Sequence, residues 1–165
     1  MDDVIIRPAR SDELPHVAAL AGKLLRMHHD FDAQRFILPE DIEQGYASWF
    51  RREIRRPEVV ILVAARGDEV VGYTYARLED RDWNQLLDPH GALHDLWVEP
   101  EARRSGVARR LVRATLDALA EKGAPRVVLH TAARNPGATA FFESMGFRRT
   151  MIEMTRESDD EGGGA

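Results

Sequence analysis

The segment Leu96-Trp97-Val98-Glu99-Pro100-Glu101-Ala102-Arg103-Arg104-Ser105-Gly106-Val107-Ala108 reads as an apolar strand that passes through a short loop into a helix. Gly106 stands at the helix entry, with the small Ala108 two residues on. A helix start presents free backbone N–H groups and the positive end of the helix dipole. A diphosphate is the natural guest of such a site. Glycine suits a point where backbone approaches phosphate closely, because a side chain would take up that space. Arg103, Arg104, Arg109 and Arg110 add positive charge around the same mouth. Two other phosphate-binding patterns are excluded: the chain has no Gly-x-x-x-x-Gly-Lys run and no Gly-x-Gly-x-x-Gly after its first apolar run. Taken alone, Arg-x-x-Gly-x-Ala also fits a surface arginine cluster at a helix start.

Other residues could move protons. His94 lies just before this segment on the same strand, and imidazole titrates near pH ~6.5, which suits a base. Strict alternation puts the neighbouring Asp95 on the opposite sheet face. Tyr73 and Tyr75, two apart, share a face and read either as acids or as ordinary strand aromatics. His28, His29 and Asp30 lack a spaced third ligand, so they read as loop residues rather than a metal site. His130 reads as a core or site-edge histidine. Tyr46, Trp49 and Phe50 recur at helical spacing and read as core. The Arg51-Arg52 and Arg55-Arg56 pairs read as a solvated helix face.

These residues need elements to position them. Val4-Ile5-Ile6 is a first strand, and Ser11 an N-cap for a helix carrying Leu14, Val17, Ala18, Ala21, Leu24 and Leu25. Residues 28–38 have no period and read as a loop or broken helix. A second helix starts at Pro39 and stops before Pro57. Strands follow at 59–65 and 70–78 around a Gly67-Asp68 turn, then a polar connection over 79–91, then a strand at 92–98. A helix spans 106–122, a strand 126–132, a helix from Asn135-Pro136 to Gly146, and a last strand 147–155.

Composition narrows the class. With 165 residues, 44% hydrophobic and 31% charged, the chain fits one soluble domain with its own core. It has no cysteine, which excludes a disulfide framework, a thiolate zinc site and a cysteine nucleophile. Net charge is −5, but Glu157, Asp159, Asp160 and Glu161 crowd the last nine residues. Residues 1–156 are nearly neutral, so no basic field drives nucleic-acid binding. We expect one domain over 1–156 and a disordered, acidic, Gly-rich tail over 157–165. The acidic N-terminus and the lack of a membrane-length apolar run lead us to expect a cytoplasmic protein without membrane attachment.

The segment ALHDLWVEPEARRSGVARRLV resembles the acetyl-CoA motif of the GNAT superfamily of N-acetyltransferases, through Leu96, Val98, Pro100, Arg103, Gly106 and Ala108. A second block, Asn135, Ala138, Phe141, Gly146 and Phe147, is similar to the family's Asn-containing helix that ends in Gly-Phe. The resemblance covers roughly residues 3–156 and implies an α/β (α+β) fold, a mixed central sheet of about six to seven strands flanked by about four helices. It implies that backbone of Leu96, Trp97 and Val98 pairs with the pantetheine arm. It further implies that Arg103, Arg104, Ser105, Gly106, Val107, Ala108 and Arg109 surround the diphosphate, and that Asn135 bonds the CoA arm. Acetyl-CoA would be co-substrate, with no metal, and an amine would attack the thioester directly. Phe142 stands where many relatives carry a tyrosine thought to protonate the leaving thiolate. A phenylalanine there cannot donate a proton; we expect it to pack near the CoA sulfur. Some relatives have Glu where this chain has His94, which makes His94 the candidate base. A non-catalytic acyl-CoA-binding domain and an acyltransferase for longer chains are the alternatives. The amine acceptor is not legible, and a homodimer is compatible because many relatives form one.

Overall fold

The computed structural model describes residues 3–158. In chain order the elements are β1 (Val4–Pro8), α1 (Leu14–Phe31), α2 (Ile42–Glu53), β2 (Val59–Arg66), β3 (Glu69–Glu79), β4 (His90–Val98), α3 (Val107–Glu121), β5 (Val127–Val128) and α4 (Pro136–Ser144). The strands form one sheet in the order β1-β2-β3-β4-β5. The first four are antiparallel, and β5 runs parallel to β4 after the α3 crossover.

Helices cover both faces. On one face α3 buries Val107, Leu111, Val112 and Leu119 against Leu62, Ala76, Leu93 and Val98, and α4 adds Phe142. The buried Thr115 hydroxyl meets that of Thr74 on β3 at 2.7 Å, so the one polar pair in this contact is satisfied. On the other face Leu14, Val17, Leu20 and Ala21 of α1 and Phe50 of α2 close over Ile61, Val63, Tyr73 and Tyr75. This mixed α+β architecture is the expected one.

Several boundaries differ from the sequence reading. Ser11 opens a short 3₁₀ turn, and α1 begins only at Leu14 and runs on through His28 and His29 to Phe31. The second helix starts at Ile42, after Asp41 in the left-handed region. The strand expected over 126–132 pairs only at Val127–Val128, and 147–155 forms no strand, so the sheet has five strands rather than six or seven. Those two stretches have strand-like residues, but a strand also needs paired backbone, and among the described residues no ladder forms beyond Val128 or over 147–155. Of the expected tail, residues 157 and 158 are exposed, and the rest lies outside the described residues.

Gly72 on β3 sits opposite Val98. A Cβ there would stand 2.8 Å from the Trp97 carbonyl oxygen and 3.3 Å from Leu111 and Val98 side-chain atoms. Glycine therefore lets β3, the end of β4 and α3 pack together. Gly72→Ala is expected to cost about 1–3 kcal/mol of stability, the usual range for overpacking. Chemical denaturation of the two proteins measures it.

Candidate active site

The ladder between β4 and β5 holds only at Gly91–Val127 and Ala92–Val128. Among the described residues, the edge of β4 that faces away from β3 has no partner strand beyond Ala92. Backbone groups between Leu93 and Val98 on that edge are therefore available to an extended ligand. The fork leads directly to the start of α3. Gly106 caps that helix with φ 80°, and Arg104 also lies in the left-handed region at φ 62°. The first helical bond runs from the Arg110 N–H to the Gly106 carbonyl. No side chain caps the amides of Val107, Ala108 and Arg109. Nothing lies within 4 Å of where a Gly106 Cβ would stand. Glycine is thus required there by backbone conformation, while the space beside it stays open.

The surrounding side chains hold this geometry. The Arg103 Nε donates to the Val98 carbonyl at 2.7 Å, and its guanidinium lies over the Trp97 ring at 4.8 Å. The Ser105 hydroxyl donates to the Ala102 carbonyl. Arg109 donates to Ser144 Oγ and Met145 Sδ, each at 3.0 Å, and so ties α3 to α4. Arg103 and Arg109 therefore brace the loop. Asn135 spends its Oδ1 on capping α4 through the Ala138 N–H, which leaves its amide nitrogen to donate. The Phe142 ring is turned into the core, edge-on to Phe141 and Phe147.

On the α1–α2 face, β4 carries a bulge. Tyr75 faces Asp95, but Ala76 faces Leu93, so His94 is the extra residue. A bulge suspends strict alternation. The His94 ring stacks on Tyr75, and the Tyr73 hydroxyl donates to Asp95 Oδ2 at 2.9 Å. The expectation of opposite faces is thereby corrected: both residues lie on the Tyr73–Tyr75 side. His94 is exposed, and its Nε2 is 3.1 Å from Glu79 Oε1. The Asp95 residue is half-buried, but its carboxyl is enclosed. Burial pushes that carboxyl up to about 6, against the opposing effects of the Tyr73 bond and the His94 and His28 charges. Burial raises Tyr46 to about 12 and lifts Tyr73 well above the usual phenol range, with the nearby Asp95 charge adding to both. The Tyr75 hydroxyl is held by Glu53 at 2.7 Å, and burial raises it as well. Neither strand tyrosine is a ready acid.

An open hollow of about 680 Å³ adjoins this cluster, lined by Glu58, Arg77, Glu79, Asp80, Asp82 and Trp83 among others. Arg77 is already surrounded by Glu53, Glu58 and Glu79, so the hollow is acidic in effect. His28 and His29 turn their Nδ1 atoms to the Leu24 and Phe36 carbonyls, and no group of three metal-ligating side chains occurs among the described residues. His130 is exposed rather than in the core. Among the described residues no helix is long and apolar enough to cross a membrane. Sequence reasoning put Asp95 on the wrong face and did not single out Glu79, because neither the bulge in β4 nor the His94–Glu79 contact leaves a mark in local sequence.

A family model of GNAT acetyltransferases matches residues 24–147, and the chain belongs to that family. It is 28% identical over 144 residues to the uncharacterized N-acetyltransferase YhfO of Bacillus subtilis (strain 168), covering 86% of this chain and 88% of that one. It is 26% identical over 114 residues to N-alpha-acetyltransferase 30 of Schizosaccharomyces pombe, covering 68% and 74%. The fold matches the BH1408 protein of Bacillus halodurans with a TM-score of 0.80 at 20% identity, over 93% of this chain and 99% of that one. It also matches the aminoglycoside N-acetyltransferase AAC(6')-Iy in complex with CoA, with a TM-score of 0.76 at 19% identity over 95% of each chain. The protein is an acetyltransferase of this family.

Two outcomes follow from the geometry. Gly106→Glu places a side chain at a left-handed position and a negative charge at the α3 N-terminus. It is expected to abolish the thermal shift that CoA gives, while circular dichroism shows the apo fold retained; an unchanged shift contradicts the assignment. For Asp95, the folded pKa lies above the unfolded value of 3.8. The folded chain then binds the proton more tightly, and ionisation lowers stability as pH rises from the unfolded value through the folded one. Asp95→Asn keeps an acceptor for Tyr73, so at neutral pH it is expected to gain about 1–3 kcal/mol, a gain that disappears below about pH 4. Melting curves across that range check the sign.

Proposed function

We propose that the protein transfers the acetyl group of acetyl-CoA to a primary amine, and that the acceptor is cationic. The observation that carries this reading is the juxtaposition of the open β4 edge, the uncapped α3 start and the His94–Asp95 bulge on one strand. Extended backbone at Leu96, Trp97 and Val98 suits an arm that bonds like an added strand. The amides of residues 104–109 and the dipole of α3 suit a diphosphate. The Asn135 amide nitrogen, not used in capping α4, suits the role of a further donor to the arm. Acetyl-CoA supplies a carbonyl activated as a thioester.

The chain's own groups then handle charge and protons. A free amine titrates near ~10.4 and arrives mostly protonated at neutral pH. The acidic hollow at Glu79, Asp80 and Asp82 attracts that cation, and His94 takes its proton, directly or through water. Asp95 and Glu79 stabilise the imidazolium that results. As the nitrogen–carbon bond forms and the carbon–sulfur bond breaks, backbone N–H groups of the β4 edge stabilise the charge that develops on the carbonyl oxygen. The sulfur leaves with the electron pair, and the second proton that the nitrogen sheds as the amide forms passes through solvent to that thiolate. A thiol titrates near ~8.5, so leaving as the thiolate at neutral pH costs only roughly 2 kcal/mol relative to the thiol, and no tyrosine is needed at position 142.

A CoA-release screen over polyamines, amino acids, aminoglycosides and peptides tests the reaction and also separates it from mere CoA binding. With the best acceptor, His94→Ala is expected to lower turnover by about 10²-fold, and the loss should shrink at high pH, where the amine is already neutral. A native rate at neutral pH would remove His94 from this role and give it to water ordered by Asp95.

A further inference from the structure

Glu53 is the last residue of α2, where a carboxylate meets the negative end of the helix dipole. It is also buried, at 4% exposure. Each placement is unfavourable for a negative charge by itself, so its partners must account for it. Its Oε2 accepts from the Tyr75 hydroxyl at 2.7 Å and from Arg77 Nη1 at 3.3 Å. Its Oε1 lies 3.2 Å from Arg56 Nε. Glu53 does not line the acidic hollow, whereas Arg77 and Glu79 do.

Both partners of that Oε2 lead to His94. The Tyr75 ring stacks on the His94 ring, with centroids 5.7 Å apart and planes at 27°. Trp49 of α2 packs on the same tyrosine at 4.7 Å. Arg77 Nε lies 3.4 Å from Glu79 Oε1, the same oxygen that stands 3.1 Å from His94 Nε2. Glu53, Tyr75, His94, Glu79 and Arg77 thus close a circuit of contacts, in which one oxygen is divided between a guanidinium and an imidazole. The more Glu79 is drawn to Arg77, the less it stabilises a charged His94. Glu53 limits that draw by taking Arg77 through Nη1, and Glu58 shares the load at 3.6 Å. The other titratable groups at the bulge are Asp95 beside His94, together with Tyr73 on β3, Tyr46 on α2 and His28 on α1, which act on Asp95.

We propose that Glu53 is a positioning residue for His94: it orients the ring through Tyr75 and, through Arg77, decides how much of Glu79 that ring receives. The catalytic meaning of this circuit rests on the reading of His94 as the base. It gives a buried residue of α2, outside the hollow, a part in proton transfer. A simple brace between α2 and β3 would act without Glu79, and that is where the two roles differ.

The test follows the His94 ring in the full chain by NMR of nitrogen-labelled histidine, its signal assigned by absence from His94→Ala. Glu53→Gln still offers Tyr75 an acceptor but no longer neutralises Arg77. Arg77 then draws Glu79 away, and the midpoint of the His94 titration is expected to fall by about 0.5–1 in pH. In a Glu79→Gln background the same substitution is expected to leave the midpoint unmoved, because its route is gone. Arg77→Gln leaves Glu79 to His94 alone and is expected to raise the midpoint, which decides the matter where Glu53→Gln fails to fold. Three results overturn the proposal: an unmoved midpoint in Glu53→Gln, an equal fall with and without Glu79, or a midpoint that does not rise in Arg77→Gln. With the best acceptor, the acid limb of kcat/KM is expected to move with the midpoint. Where the ring responds as stated and the rate does not follow, the circuit stands and His94 loses the role of base.

Discussion

Past Ala92, β4 keeps its bonds to β3 but has none to β5, and this divergence is what the rest of the molecule serves. Unpaired backbone inside a sheet is costly unless something takes its place. Here the geometry around it is held from several sides. Gly72 lets β3 approach the end of β4 closely, and Arg103 clamps the Val98 carbonyl while stacking on Trp97. Arg109 links the start of α3 to the end of α4. The open edge therefore leads to the positive end of a helix, an arrangement that suits an extended arm carrying a diphosphate.

The bulge at His94 does a different job on the same strand. By suspending alternation it puts an imidazole and a carboxylate side by side on the face of Tyr73 and Tyr75. The enclosed Asp95 carboxyl has its affinity for protons raised by burial, which works against stability at neutral pH. Such a group is a common mark of a site where charge must be handled. The pair Arg7–Glu13 shows the contrast: there the arginine's hydrogen bonds hold the glutamate down to about 2, and the ion pair fastens β1 to the turn before α1. One carboxylate supports the fold and the other is supported by it.

The periphery follows the same logic of satisfied and unsatisfied backbone. Asp82 and Leu87 bridge the long β3–β4 connection into a small hairpin, with Trp83 and Leu86 exposed at its tip. At the far end of the sheet, among the described residues β5 pairs with β4 alone. The molecule is thus well packed around β2, β3, α1 and α3 and unfinished at the edge beside the fork.

Much of this was legible in the residues. The order of elements, the helix start at Gly106, the cap at Asn135 and the family resemblance all rest on local patterns: apolar spacing, a glycine where φ is positive, a side chain that can accept from its own helix. These interactions are short in sequence, so residue type determines them. The roles of Arg103 and Arg109, the inward turn of Phe142, the pairing of His94 with Glu79 and the side on which Asp95 lies were not legible, because each depends on a neighbour brought in by the fold. The missing outer strand belongs with them. Residues 147–155 read as a last strand in sequence, but pairing is a property of two segments, and only the tertiary structure decides whether they meet.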